Sequence, residues 1–424
     1  MNPKQGTMMR HLYIVVIWFD VISGLDVKPQ KERYLPDYSK YHNLSAIEKE
    51  LQSIANRNLN YVKLDFSSFT SRQRRSQLFI HLSNFTGRNF NQISSYQETP
   101  RLKVLLSYGE HAREFLPIES MLHLVKNLTS GLSYHSGTPQ ELFSRKVLSN
   151  IDLYIISMAN PDGRKHLEVT HNYCWRGTST GVDLDRNFDW EFAGKGSSSN
   201  QNDEEYRGPE AFSEPETNVF TGLANRIKFD LFISFHSGIK HIYIPFSDTK
   251  SKISKRNPPN FENMLDLASI LSHSTQYVYK YGHSYDLSGY TADGTIFDYM
   301  AGVKKVPFSF AVELWGTNHN GPSCFDLFNP KSEDLHEVVK TIHPMYAKLF
   351  SYLIEWKEAK IRHLSDPLSD APSLTFGYVL LGCIVIITVI TALHGRYPIC
   401  NRLYQRRRIV SLKSLSSTFT MYTK

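Results

Sequence analysis

Four apolar runs of strand length, residues 102–107, 151–157, 231–235 and 308–314, constrain this chain more than any other feature, because helical patterns separate them. Continuous rather than alternating apolar character fits strands covered on both faces. Residues 46–55 and 115–128 carry apolar side chains at helical spacing, and residues 109–112 form a loop between the first strand and the second helix. Strands that alternate with helices predict an α/β fold with a mixed, largely parallel central sheet and helices on both faces. In such sheets functional residues gather just beyond the carboxyl ends of the strands.

The chemistry-bearing residues stand at those ends. Run 102–107 leads into Tyr108-Gly109-Glu110-His111-Ala112-Arg113-Glu114, which sets His111 and Glu114 three apart where a strand gives way to a helix. An imidazole nitrogen and a carboxylate so spaced can reach one Zn2+ at about 2.0–2.2 Å, and two histidines plus a glutamate with an open fourth position is a catalytic set. Alone, the pair also reads as an ordinary surface pair at a helix end. His236, directly after run 231–235, is the candidate third ligand; a lone histidine there would otherwise be a satisfied core residue. Glu313, inside run 308–314, is the candidate general base or else one half of a structural ion pair. Burial raises a carboxyl pKa and a nearby cation opposes the rise.

Several motifs now follow in order: His111-Ala112-Arg113-Glu114, Asn160-Pro161-Asp162-Gly163, Gly181 to Phe188 (Gly-Val-Asp-Leu-Asp-Arg-Asn-Phe), Phe212 to Glu216 (Phe-Ser-Glu-Pro-Glu), His236-Ser237 and the Glu313 run. In this order they resemble the zinc metallocarboxypeptidases, the carboxypeptidase A-like family M14, over roughly residues 38–350. The resemblance implies Zn2+ held by His111, Glu114 and His236, with Glu313 as the general base that takes the proton of a zinc-activated water and passes it to the leaving amine. It also implies that Arg186 binds the terminal carboxylate of a peptide or protein substrate, a bidentate role that suits a guanidinium. Tyr290, four residues before Gly294 and eight before Asp298, matches the family's mobile substrate-binding tyrosine. Arg176, nine residues before Asp185, matches an oxyanion-stabilising arginine.

Two departures mark a divergent branch. Asp185 stands where the family usually has asparagine, and its charge opposes a terminal carboxylate unless Arg176 or Arg186 neutralises it. The pattern begins near Tyr38, so no long inhibitory prosegment is expected, and the stalk and span expected soon after the catalytic domain leave no place for the accessory β domain of the regulatory branch. Aligned onto the family, Ser247 and Phe297 fall where an acidic residue would select basic termini, so a neutral, apolar terminal side chain is expected. Two rival functions remain: a zinc amidohydrolase of the aspartoacylase type, and a catalytically silent carboxypeptidase-like membrane receptor.

The ends of the chain point to a membrane. Residues 376–393 carry no charge, and a helix of that length spans roughly 27 Å, close to the hydrocarbon core of a bilayer. Basic residues follow: residues 395–424 hold seven Lys or Arg and no Asp or Glu. Removing them leaves 41 basic against 41 acidic residues, so the net charge of +7 is a property of the tail and gives no support to nucleic-acid binding. The expected organisation is a signal peptide at 1–24, a catalytic domain at 25–364, a stalk at 365–375, a transmembrane helix at 376–394 and a basic cytoplasmic tail at 395–424. That makes a single-pass type I membrane protein with a luminal or extracellular catalytic domain. Cys174 and Cys324 are one candidate disulfide or two free thiols, and Asn43, Asn84 and Asn127 are glycosylation candidates. The oligomeric state is not encoded in any of these features.

Overall fold

The computed structural model describes residues 35–86, 101–316, 323–365 and 374–394. Eight strands form one sheet: β1 (Val62–Asp65), β2 (Phe79–Leu82), β3 (Leu102–Tyr108), β4 (Ile151–Ile156), β5 (Leu231–His236), β6 (His241–Ile244), β7 (Lys280–His283) and β8 (Phe308–Glu313), in the order β1-β2-β4-β3-β5-β8-β6-β7. The four apolar runs are its centre. Strands β4, β3, β5 and β8 are mutually parallel neighbours, while β2 runs antiparallel to β4 and β6 antiparallel to β8. The sheet is therefore mixed with a parallel middle, as expected.

Both faces of the central strands are covered, which explains the lack of alternation in their sequences. Leu105 and Phe232, register partners on β3 and β5, sit in a cluster with Val219, Phe220, Ile296 and Met300. Tyr108 and Phe235, partners three residues further on, point to the opposite face by the period of two. There their rings stack at 4.8 Å, and the Tyr108 hydroxyl donates to Tyr346 Oη at 3.1 Å.

Helix α1 (Leu44–Arg57) begins at Asn43, whose Oδ1 accepts from the Ala46 amide. Helix α2 (Leu116–Gly131) has no local side-chain cap. Asn329, more than two hundred residues away in sequence, replaces it: its Oδ1 accepts from the amides of Phe115 at 2.7 Å and Leu116 at 3.0 Å. This satisfies donors that a helix start otherwise leaves bare. Helices α3 (Pro139–Asn150), α4 (Pro161–Thr170) and α5 (Asn218–Arg226) follow, each with a proline or polar residue near its start.

Beyond the sheet, helix Leu374–His394 covers the charge-free run at the C-terminal end. Side chains are described for residues 378–393 of it, all exposed. Among the described residues no helix is long and apolar enough to cross a membrane. The expected signal peptide at 1–24, most of the stalk at 365–375 and the basic tail at 395–424 lie outside the described residues. Cys174 and Cys324 form a disulfide, with Cα atoms 5.2 Å apart.

Of the three sequons, Asn84 lies just past β2 with its Oδ1 accepting from the Thr86 amide. Asn127 is inside α2, its Nδ2 within hydrogen-bond distance of His123 and His343, and its Thr129 is buried.

Candidate active site

Parallel neighbours end at the same edge of a sheet, and three of the central strands deliver the candidate residues to one place. His236 and Glu313 are the last residues of β5 and β8 and are register partners. His111 and Glu114 follow β3 after a sharp turn at Gly109, whose φ of +74° favours glycine and where a Cβ would meet Met158 Sδ at 2.8 Å. The loop is held from behind: Asn160 Nδ2 donates to the carbonyls of Glu110 and Gly177, both at 3.0 Å, and the Ala112 amide donates to Arg176 O.

The three expected ligands converge. His111 Nδ1 lies 2.8 Å from Glu114 Oε1, and His236 Nδ1 lies 3.1 Å from both His111 Nδ1 and Glu114 Oε2. One donor atom from each can be chosen so that all lie within 4.8 Å of one another. The donor set itself draws positive charge. Burial opposes ionisation of Glu114, but the two imidazoles outweigh it and hold the carboxyl well below its ordinary range. Burial likewise lowers His236, yet Glu114 overrides it and raises the imidazole to about 10. His111 is raised too, because Glu114 and Asp183 outweigh burial and Arg176. Three buried, convergent donors, an ionised carboxylate and two imidazoles in a field that favours positive charge, fit a divalent cation, and two imidazoles with one carboxylate are the donors zinc takes in catalytic sites.

Asp183, which the sequence motif contains but whose role it does not announce, orients this cluster. Its Oδ1 lies 3.1 Å from His111 Nε2, the ring nitrogen opposite the ligand nitrogen. A carboxylate in that place fixes the tautomer of a metal-ligating histidine. Its Oδ2 accepts from Arg176 Nε at 3.0 Å. Burial disfavours the Asp183 anion, but Arg176 and Arg186 hold its carboxyl well below the ordinary range. In return Arg176 is raised, Asp183 and Glu114 outweighing burial.

The cluster opens onto a cleft of about 670 Å³ lined by Glu114, Arg176, Arg186, Tyr290 and Glu313, among others. Glu313 Oε2 has no hydrogen-bond partner among the described residues. Burial, with Glu114 adding its charge, pushes the Glu313 carboxyl up to about 7. Arg186 is anchored through Nε to Gly196 O and through Nη1 to Asp185 O, both at 3.0 Å. Tyr290 is 57% exposed on the rim. The cleft also contains pairings that the sequence does not announce: Arg113 Nη1 and Nη2 each donate at 2.9 Å to the carboxylate of Glu204, and Glu205 lies 3.9 Å from Arg186.

The three remaining expected substrate residues are placed as follows. Asp185 Oδ1 accepts from the Ile296 amide at 2.9 Å, while its Oδ2 lies 4.0 Å from Arg186 Nη1, so its charge is shared between a helix start and the carboxylate-binding arginine. Ser247 is buried, its hydroxyl donating to Ala292 O and to Asp298 Oδ2. Phe297 packs in the core beside Phe232 and Met300. Neither lines the cleft, and the expected apolar selection of the terminal side chain loses its structural basis. Position along the chain places these residues near the site, but helix Ile296–Gly302 turns Phe297 toward the sheet.

The geometry has counterparts in known proteins. Zinc carboxypeptidase A 1 of Anopheles gambiae is 28% identical over 291 residues, which cover 66% of this chain and 60% of that protein. A protein described as an inactive metallocarboxypeptidase of Ajellomyces dermatitidis is 26% identical over 271 residues, 59% of this chain and 42% of its own length. The crystal structure of thrombin activatable fibrinolysis inhibitor matches with a TM-score of 0.62 at 21% identity over 75% of each chain, a likeness of fold. The family model described as zinc carboxypeptidase matches residues 34–342, and the chain therefore belongs to the zinc carboxypeptidase family, peptidase M14.

Proposed function

We propose that this protein is a zinc-dependent metallocarboxypeptidase that removes C-terminal residues from peptides or proteins. The observation that carries the reading is the placement of Glu313, with a free Oε2, across one strand pair from His236 in a cluster of three metal donors. Zinc held by His111, Glu114 and His236 supplies Lewis acidity to the scissile carbonyl and acidifies water toward a pKa of about 7. Glu313 takes a proton from the attacking water and returns it to the amine of the departing residue. Arg186 and Tyr290, both on the cleft, hold the terminal carboxylate, and Arg176 faces the developing oxyanion.

The topology belongs to the same reading. The charge-free run 376–393 and the basic residues of 395–424 that follow it are the sequence basis for a C-terminal membrane anchor, with the basic tail cytoplasmic and the catalytic domain luminal or extracellular. The Cys174–Cys324 disulfide supports an oxidising compartment. Alkaline carbonate extraction of cell membranes, followed by protease treatment of sealed vesicles, checks this. Release of the chain by carbonate sinks the anchor.

The activity is tested on the full-length chain, purified in detergent and loaded with zinc, against a peptide library that varies the C-terminal residue. Release of single terminal residues, abolished by chelation and restored by zinc, is the expected result. Zinc binding without release from any peptide overturns the peptidase reading in favour of a silent receptor, and release from acylated amino acids alone favours the amidohydrolase.

A further inference from the structure

His236 presents two ring nitrogens to two different environments. Its Nδ1 faces the metal cluster, as described. Its Nε2 lies 2.5 Å from Ser234 Oγ and 3.9 Å from Glu110 Oε2. Glu110 is fully buried. Its Oε1 accepts from Ser107 Oγ and, at 3.2 Å, from Ser234 Oγ, while its Oε2 has no partner among the described residues. Its backbone is fixed by Asn160, as noted above.

A buried carboxylate with one bare oxygen is a poor structural element. Removing it from water is costly unless strong partners compensate, and an apolar side chain of similar volume in such a place is often neutral or stabilising. Two serine hydroxyls would be equally well accepted by a neutral amide. The ring that this carboxyl group reaches, through the Ser234 hydroxyl, is that of His236.

We propose that Glu110 is a positioning residue of the metal centre. Its carboxylate accepts from the Ser234 hydroxyl, Ser234 Oγ accepts from His236 Nε2–H, and Nδ1 is left with a lone pair aimed at the cluster. This arm mirrors the direct Asp183 contact to His111, so both histidines are backed by carboxylates, one directly and one through a serine. Backing of this kind fixes the ring and raises the basicity of the ligand nitrogen, and its loss typically weakens metal binding about 10- to 100-fold. The inference rests on the reading of His111, Glu114 and His236 as zinc ligands.

The test is competition between the full-length chain and a fluorescent zinc chelator, for the wild type and for Glu110→Gln, Glu110→Leu and Ser234→Ala. Alongside it, the thermal midpoint of the zinc-free proteins is measured. The expected result is one zinc per chain throughout, a zinc Kd weakened about 10- to 100-fold in all three variants, and zinc-free midpoints unchanged or, for Glu110→Leu, raised. Unchanged zinc affinity with a lowered zinc-free midpoint would make Glu110 a purely structural residue and overturn the proposal. Should one variant fail to fold, Ser234→Ala interrupts the same relay without touching the loop that carries His111. Failure of the wild type to bind one zinc would instead refute the ligand set, and the proposal with it.

Discussion

His236 and Glu313 close two adjacent parallel strands at the same register position, so a metal donor and a free carboxylate are held side by side by main-chain hydrogen bonds. Neither depends on a loop for its placement. This rigidity suits a general base beside a metal donor, since the base's reach to the proton it takes is limited to hydrogen-bond distance or one water.

Replacing Glu313 by Gln keeps the shape of the strand end and removes the proton acceptor. The kcat on a peptide substrate is expected to fall by roughly 10²- to 10⁴-fold with zinc content unchanged. Metal analysis and steady-state kinetics on the same preparation check both halves. Full activity in this variant would remove Glu313 from the mechanism.

Arg186 is held by Gly196 O and Asp185 O, which leaves the rest of its guanidinium for the cleft. Arg186→Ala should lower kcat/KM on peptides with a free C-terminus by roughly 10- to 100-fold, the loss expected for charge-assisted hydrogen bonds. Slow turnover of C-terminally amidated peptides should stay the same. An equal loss on both substrates would assign Arg186 to the scaffold.

Acid stability should show the signature of His343. Burial lowers its imidazole to about 4 from an ordinary 6.5, with His123 adding a smaller push. Between those values the unfolded chain carries a proton that the folded one does not, so stability falls as the pH drops through this window. For this group alone the loss is on the order of 2–3 kcal/mol from neutral pH to the lower value. His343→Gln, which keeps an acceptor for Asn127 but cannot titrate, should flatten the decline in urea titrations over that range. An unaltered decline would mean that other groups set the acid limb.

The Cys174–Cys324 bond joins residues 150 apart in the chain and ties the loop before Arg176 to the segment that leads to Asn329. A double Cys→Ala variant should be destabilised by about 2–5 kcal/mol, mostly through the freer unfolded chain. Equilibrium denaturation gives the number, and a loss in affinity for peptide beyond the loss in stability would show that the tie also positions Arg176.

The central strands were readable because burial on both faces leaves an uninterrupted apolar run. The edge strands were not: β1 and β7 are short, partly exposed and polar, and nothing in Lys280-Tyr281-Gly282-His283 separates a strand from a loop. The ligands and Glu313 were readable because strand ends are legible once strands are. Asp183 and Glu110 were on the page as letters, but their work depends on which ring nitrogen of a distant histidine they approach. Glu204 was invisible for a related reason, since its pairing with Arg113 joins a loop without periodicity to a strand end. Ser247 and Phe297 show the opposite failure: alignment assigned a place, and side-chain direction decided against it.

The helix that follows Glu114 receives its capping oxygen from Asn329, and this fixes an order of events in synthesis. When the ribosome has made the first two ligands, the amides of Phe115 and Leu116 still lack their acceptor, and they keep lacking it until residue 329 has left the exit tunnel. The start of α2 beside the first two ligands can therefore take its final shape only after nearly the whole catalytic portion has been translated.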